Sequence, residues 1–232
     1  EQFGNHPTGS LAYGVGLGHG LRLTASAGTG FKAPTFNDLY YPGFSNPALE
    51  PETSRSVNLG LAQEGAGWDW TVNLFQTRIE DMIGYDSGSN LVNIDKARIR
   101  GVEFTGYASL AGFDLNLELT HLDPRNVGDT SAHGNLLPRR ARNSGRLDVD
   151  RAFGALKLGL TANGTGYRYD NAANSTRLAG YGTVDLRLEW NVSPAWSLQA
   201  RAANVFDRQY ETVSWYNQPG REYQVSVRYR SL

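Results

Sequence analysis

The sequence contains no cysteine, which excludes a disulfide framework, a thiolate metal site and a cysteine nucleophile, and leaves the redox compartment open. No apolar run approaches the roughly 18 to 20 residues that a membrane-spanning helix requires, so any bilayer crossing must be made by strands. There is no charge of one sign to spare: a net charge of -1 gives no pull toward nucleic acid, and no nucleic-acid partner is expected. The N-terminus, Glu1-Gln-Phe-Gly-Asn-His-Pro7, lacks the basic and apolar regions of a signal peptide. His6, His19, His121 and His133 have no zinc-ligand spacing. Gly14-Val-Gly-Leu-Gly-His-Gly20 lacks the lysine and Ser/Thr of a phosphate loop, and small residues on one face of a strand explain it better. Apolar residues make up only 40% of the chain, yet a barrel with a polar lumen hides its membrane character from bulk composition.

What the chain does contain is alternation. In Val184-Asp-Leu-Arg-Leu-Glu-Trp-Asn-Val192 every second residue is apolar, the mark of a strand with one apolar and one wet face. Trp68-Asp-Trp-Thr-Val-Asn-Leu74, Phe113-Asp-Leu-Asn-Leu-Glu-Leu119 and Tyr223-Gln-Val-Ser-Val-Arg-Tyr229 repeat it. The pattern predicts eleven strands, at 10-17, 20-30, 54-63, 68-84, 94-110, 113-122, 140-151, 155-168, 179-192, 196-207 and 221-230. Tight Gly- or Pro-bearing turns alternate without exception with long loops near 31-53, 85-93, 123-139, 169-178 and 208-220. In an up-and-down meander this places every short turn at one end and every long loop at the other, as outer-membrane barrels do. The fold class expected is all-β, an antiparallel up-and-down transmembrane β-barrel.

Trp68, Trp70, Tyr107, Phe113, Trp190, Trp196, Tyr223 and Tyr229 lie near strand ends, where aromatic girdles form at the membrane interface. Asp114, Asn116, Glu118 and Thr120 share one face of a strand. Arg140, Arg142, Arg146, Asp148 and Asp150 share a face of the next, so a hairpin is expected to bring Arg140 and Arg142 near Glu118 and Thr120 as a charge ladder across a wet interior. Interleaved acids argue against a phosphate-binding patch there. Single-chain outer-membrane barrels use even strand numbers with both termini on the short-turn side. Eleven strands start the first on the long-loop side, so the chain is expected to be part of a larger barrel.

Several segments resemble the C-terminal barrel half of TonB-dependent outer-membrane receptors. They are Phe31-Lys-Ala-Pro-Thr-Phe-Asn-Asp-Leu-Tyr40 followed by Asn46-Pro-Ala-Leu-Glu-Pro-Glu-Thr53, Ala97-Arg-Ile-Arg-Gly-Val-Glu103, and Ala203-Asn-Val-Phe-Asp-Arg-Gln-Tyr210 with Pro219-Gly-Arg-Glu-Tyr223. Within the family, Arg78-Ile-Glu-Asp-Met-Ile-Gly-Tyr-Asp86, Leu137-Pro-Arg-Arg-Ala141 and Tyr210-Glu-Thr-Val213 are most similar to the cobalamin branch. The resemblance implies that residues 1-232 are the C-terminal part of a barrel of about 22 strands, with the plug domain and the N-terminal strands lying outside this chain. It also implies the outer membrane of a Gram-negative bacterium as location, outer-membrane lipid and, through the plug, the TonB energy-coupling complex as partners, and cobalamin or a siderophore as ligand. No covalent chemistry is implied.

The candidate ligand-binding residues are loop aromatics, Tyr40, Tyr41, Phe44, Tyr85, Tyr167, Tyr169, Trp215 and Tyr216, on which a large planar ligand could stack. The plainer alternative makes the tyrosines a girdle on that side. No cofactor is expected. Asp123, Asn126 and Asp129, or Asp86 and Asp95, are the candidate oxygen ligands should calcium order a loop, against ordinary solvated loop. Two rivals are an outer-membrane barrel enzyme, for which His121 beside Asp123 lacks a third catalytic member, and a soluble carbohydrate-binding β-sandwich with its apolar faces turned inward.

Overall fold

The alternating segments become one antiparallel sheet in the computed structural model, which describes residues 3–86 and 90–231 apart from the side chain of Asp95. The elements are β1 (Ser10–Gly18), β2 (Leu21–Lys32), α1 (Phe36–Tyr40), β3 (Glu52–Gly65), β4 (Trp68–Tyr85), β5 (Leu91–Leu110), β6 (Phe113–Asn126), β7 (Asn143–Phe153), β8 (Leu156–Thr165), β9 (Arg168–Tyr169), β10 (Arg177–Leu178), β11 (Tyr181–Asn191), β12 (Trp196–Ala203), β13 (Glu211–Val213), β14 (Tyr216–Asn217) and β15 (Glu222–Tyr229). Eleven strands pair in the order β1-β2-β3-β4-β5-β6-β7-β8-β11-β12-β15. These are the eleven that periodicity predicts. The remaining four form two small hairpins, β9–β10 and β13–β14, within the long connections. They are too short to show a period.

Short turns set the hairpin geometry. His19-Gly20 and Ala111-Gly112 both take positive φ at each residue (53° and 74°, 52° and 79°), the sign needed for a two-residue turn to follow the right-handed strand twist. Register then sorts the side chains. On the outward face Trp70, Val72 and Leu74 stand opposite Gln63, Leu61 and Leu59 on one side and Gly106, Phe104 and Val102 on the other. Its apolar groups are widely exposed, Leu11 at 79% and Val225 at 70%, which in a membrane is contact with lipid. Trp190, Trp196 and Tyr229 sit on this face at the short-turn end, Trp196 directly opposite Tyr229 with ring centroids 4.8 Å apart. Phe113 and Phe153 flank the Arg151 guanidinium at 4.5 and 4.9 Å. Tyr107 departs from the expected girdle: it falls on the wet face opposite Asp69 and Asn116, and its hydroxyl donates to Asp114 at 3.1 Å.

The wet face carries the charges. Asp148 lies opposite Asn116 and Thr161, and Thr161 opposite Asp185. Arg187 of β11 reaches across β8 to Asp148 at 3.3 Å and Asp150 at 3.1 Å. It can do so because Gly159, between them in register, has no side chain; a Cβ there would collide with both partners. The ladder differs from the one expected. β7 begins at Asn143 rather than 140, so Arg140 and Arg142 fall in the preceding loop and Arg146 stands opposite Glu118. Arg146 turns along its own strand to Asp148 at 2.6 Å. The Arg–Asp pairs therefore run within β7 and across β11, not between β6 and β7.

β4 and β5 are 18 and 20 residues long, whereas about 9 to 11 suffice to cross a bilayer. The surplus projects on the long-loop side, where Met82, Ile94, Ala97 and Leu137 form a small buried core with Ile79 and Ile99 against it. Among the described residues, β1 and β15 at the sides each pair with one neighbour only, and both run from the long-loop end to the short-turn end. They are thus parallel to each other, and an antiparallel wall cannot close by joining them.

Candidate functional site

The long connections fold onto one another as a rim. In the 33–51 loop, Thr35 and Asp38 form a capping box for α1, Thr35 N–H donating to the Asp38 carboxylate at 2.8 Å. The hydrogen bonds from Thr35 hold that carboxyl below its ordinary value. Leu39 and Leu49 are buried with Leu91. Asn46 donates to the Leu91 carbonyl at 3.0 Å, and Asn93 both accepts from Glu50 N–H and donates to its carbonyl at 2.8 Å. The loop is thereby fixed against the β4–β5 end, beside Tyr85, which pairs with Leu91.

The 127–142 loop turns in over the sheet. Leu137 is 1% exposed, and burial pushes the Arg140 guanidinium below its ordinary value while Glu52 of β3 opposes the shift. Asn174, held at φ 56°, accepts from Leu136 N–H at 2.8 Å and donates to its carbonyl at 2.9 Å. Arg139 pairs with Asp170 at 2.8 Å. Farther round, Tyr181 stacks on Tyr210 at 3.9 Å, with Arg168 5.4 Å over the Tyr181 ring and donating to the Glu211 carbonyl at 3.2 Å. Burial, with Tyr181 alongside, raises the Tyr210 hydroxyl's pKa. Sequence reading missed this Tyr181–Tyr210–Arg168 joint, because partners drawn from β9, the start of β11 and the loop before β13 leave no spacing signal.

The candidate aromatics fall into three groups on this rim. Tyr40, Tyr41 and Phe44 are exposed on the first loop, whose Asn46 is bonded to Leu91, the register partner of Tyr85, and Tyr40 packs on Phe36 at 5.1 Å. Tyr167 and Tyr169 meet edge-on at 6.0 Å, Tyr167 lying under Arg177 at 4.2 Å. Trp215 and Tyr216 occupy the tip of the β13–β14 hairpin, Trp215 being 91% exposed. Among the described residues, no ring contact joins one group to another.

Asp123 is committed elsewhere. Its carboxylate takes Arg98, Arg100 and Arg125 at 3.5, 3.1 and 2.6 Å. His121 meets Asn143 at 2.6 Å instead of that carboxylate. Asn126 accepts from Gly128 N–H at 2.9 Å, and Asp86 from Asn90 N–H at 2.8 Å; the Asp95 side chain lies outside the described residues. Among the described residues no three His, Cys, Asp or Glu groups converge as a metal site.

Comparison with known proteins gives this wall and rim a lineage. The family model for the TonB dependent receptor-like β-barrel matches residues 2–205. The chain belongs to the TonB-dependent receptors. This is a family of receptors and transporters in the outer membranes of Gram-negative bacteria. The vitamin B12 transporter BtuB of Photobacterium profundum is 32% identical over 238 residues, 99% of this chain and 39% of that protein. BtuB of Vibrio vulnificus is 32% identical over 240 residues, 98% and 38% respectively. Among solved structures, the ferric yersiniabactin uptake receptor FyuA of Yersinia pestis superposes with a TM-score of 0.77 at 25% identity, over 94% of this chain and 35% of that one. The chain thus spans about two fifths of the length of the curated TonB-dependent relatives it matches.

Proposed function

We propose that this chain is the C-terminal barrel portion of an outer-membrane receptor that takes up cobalamin, coupled to TonB through a plug carried outside these residues. The observation that carries the ligand choice is 32% identity to two vitamin B12 transporters over essentially the whole chain, rim loops included. Site chemistry supports it. Trp215 sits at φ 70°, a backbone region costly for a bulky residue, and is 91% exposed. Such strain with no packing in return suits a residue kept for a ligand. Tyr216, Tyr85 and the first-loop group Tyr40, Tyr41 and Phe44 offer further faces for a corrin to stack on, with Tyr167 and Tyr169 between the hairpin and the 127–142 loop. The charge ladder of Glu118, Arg146 and Asp148, with Arg187, would line the water-filled interior through which uptake proceeds.

A ferric siderophore is the second reading, favoured by the likeness to the yersiniabactin receptor. The test is binding of cyanocobalamin against a ferric siderophore by the receptor that carries this chain, refolded in detergent. Saturable cobalamin binding that weakens about tenfold or more in Trp215→Ala and Tyr216→Ala, at unchanged barrel folding, supports the proposal. Saturable binding of the siderophore alone would overturn the ligand assignment.

A further inference from the structure

We propose that the outward face of β3–β6, just above the apolar band, is a binding surface for the phosphate groups of an anionic glycolipid in the outer leaflet. The inference rests on the membrane placement proposed above but not on the choice of nutrient.

Register builds the surface. Arg55 of β3 lies directly opposite Arg78 of β4, Arg78 opposite Arg98 of β5, and Arg98 opposite Arg125 of β6. Four arginines on adjacent strands therefore form one row, about 14 Å wide at the usual strand spacing. The row shares its face with Val57, Leu59, Val72 and Leu74, which lie on the short-turn side of it, so the row faces lipid at the long-loop edge of the apolar band. Lys96 and Arg100 join it on the same face of β5. Register sets Glu80 opposite Lys96 and Asp123 opposite Arg100 among these cations.

Like charges placed directly opposite across a sheet repel, and the sequence answers this on one side only. Asp123 gathers Arg98, Arg100 and Arg125. Arg55 and Arg78 are exposed, make no ion pair among the described residues, and border a groove with Thr29, Thr53 and Glu80. Guanidinium forks match phosphate oxygens bidentately, and arginine stems lie on apolar surface while their heads stay at headgroup level. A phosphate-bearing headgroup whose acyl chains cover the apolar band satisfies both halves of this surface. The excess is local. Farther round the same face, β7, β8 and β11 carry Gly145, Gly164 and Gly182 in register at their long-loop ends, with no cation beside them.

The test uses the whole receptor purified in neutral detergent and incubated with bis-phosphorylated lipid A, with the same lipid after dephosphorylation, or with inorganic phosphate, and reads retained lipid by native mass spectrometry. The receptor should retain the phosphorylated lipid, with the dephosphorylated form about tenfold weaker and inorganic phosphate a poor competitor. Arg55→Gln with Arg78→Gln should weaken retention about tenfold, and the Lys pair should recover part of it because charge is kept and the bidentate fork lost. Nutrient binding by the same samples reports folding and keeps failure here distinct from failure of the uptake reading. Equal retention of the dephosphorylated lipid, retention unchanged in the Gln pair, or equal competition by inorganic phosphate would each overturn the proposal.

Discussion

Replacing Asp123 by asparagine keeps the shape of a largely covered side chain, 13% exposed, and removes the charge that three guanidiniums share. The contribution of each contact differs. Arg100 is 54% exposed, so its pair is screened and contributes about 0 to 1 kcal/mol. Arg98 at 3.5 Å is a weak contact. Arg125 at 2.6 Å, 34% exposed, is a charge-assisted bond of about 1.5 to 3 kcal/mol. Adding the repulsion left among Arg78, Arg98 and Arg125 in one row, the local cost comes to about 3 kcal/mol. At about 1.4 kcal/mol per factor of ten, opening of the upper β5–β6 ladder becomes about a hundredfold more frequent. Hydrogen exchange on the receptor in detergent reads this directly: the amides of 96–100, Leu122, Asp123, Arg125 and Asn126 should exchange about a hundredfold faster while those of β11 and β12 keep their rates. Arg100→Gln should change the same amides less than about fivefold. A change below threefold at β5–β6 in Asp123→Asn would refute the view that this carboxylate holds the arginine row together.

Three further outcomes are expected. Gly159→Val should separate Arg187 from Asp148 and Asp150 by filling the space the guanidinium crosses, lowering the midpoint of chemical unfolding by an amount equivalent to about 2 to 4 kcal/mol; an unchanged midpoint would show that the pairs contribute nothing. Asn174→Ala should cost about 1 to 3 kcal/mol locally, since it removes both bonds to Leu136 and an αL-tolerant residue, and limited proteolysis within 127–142 should accelerate. The α1 cap should depend on pH: Asp38 titrates below its ordinary 3.8 when folded, so the cap's stability is fully present above that value and is lost as pH falls through the lower folded one. Exchange at Asp38 and Leu39 should rise over that acid range in the native receptor, and the rise should vanish in Asp38→Asn.

Period-two alternation located the eleven sheet strands because one face meets lipid and the other water, and that contrast is written into the neighbours of every residue. It misplaces the start of β7 by three residues because Arg140 and Arg142 continue the pattern; Arg140 instead lies half-buried in a loop. Nearness to a turn predicts Tyr107 as a girdle residue, and only its register opposite Asp69 and Asn116 puts it on the wet face.

The sequence by itself thus determined the strands, the alternation of short turns and long loops, the two-faced wall and the family, since each depends on residues near one another in the chain. Only the tertiary structure decided which charges meet. Arg187 finds Asp148 and Asp150 across a glycine, Asp123 draws three arginines rather than His121, and the Arg55–Arg78–Arg98–Arg125 row exists only once four strands are in register. Those encounters depend on strand register and on loops packed against distant loops, and side chains that come together from far apart in the sequence carry no local period to betray them.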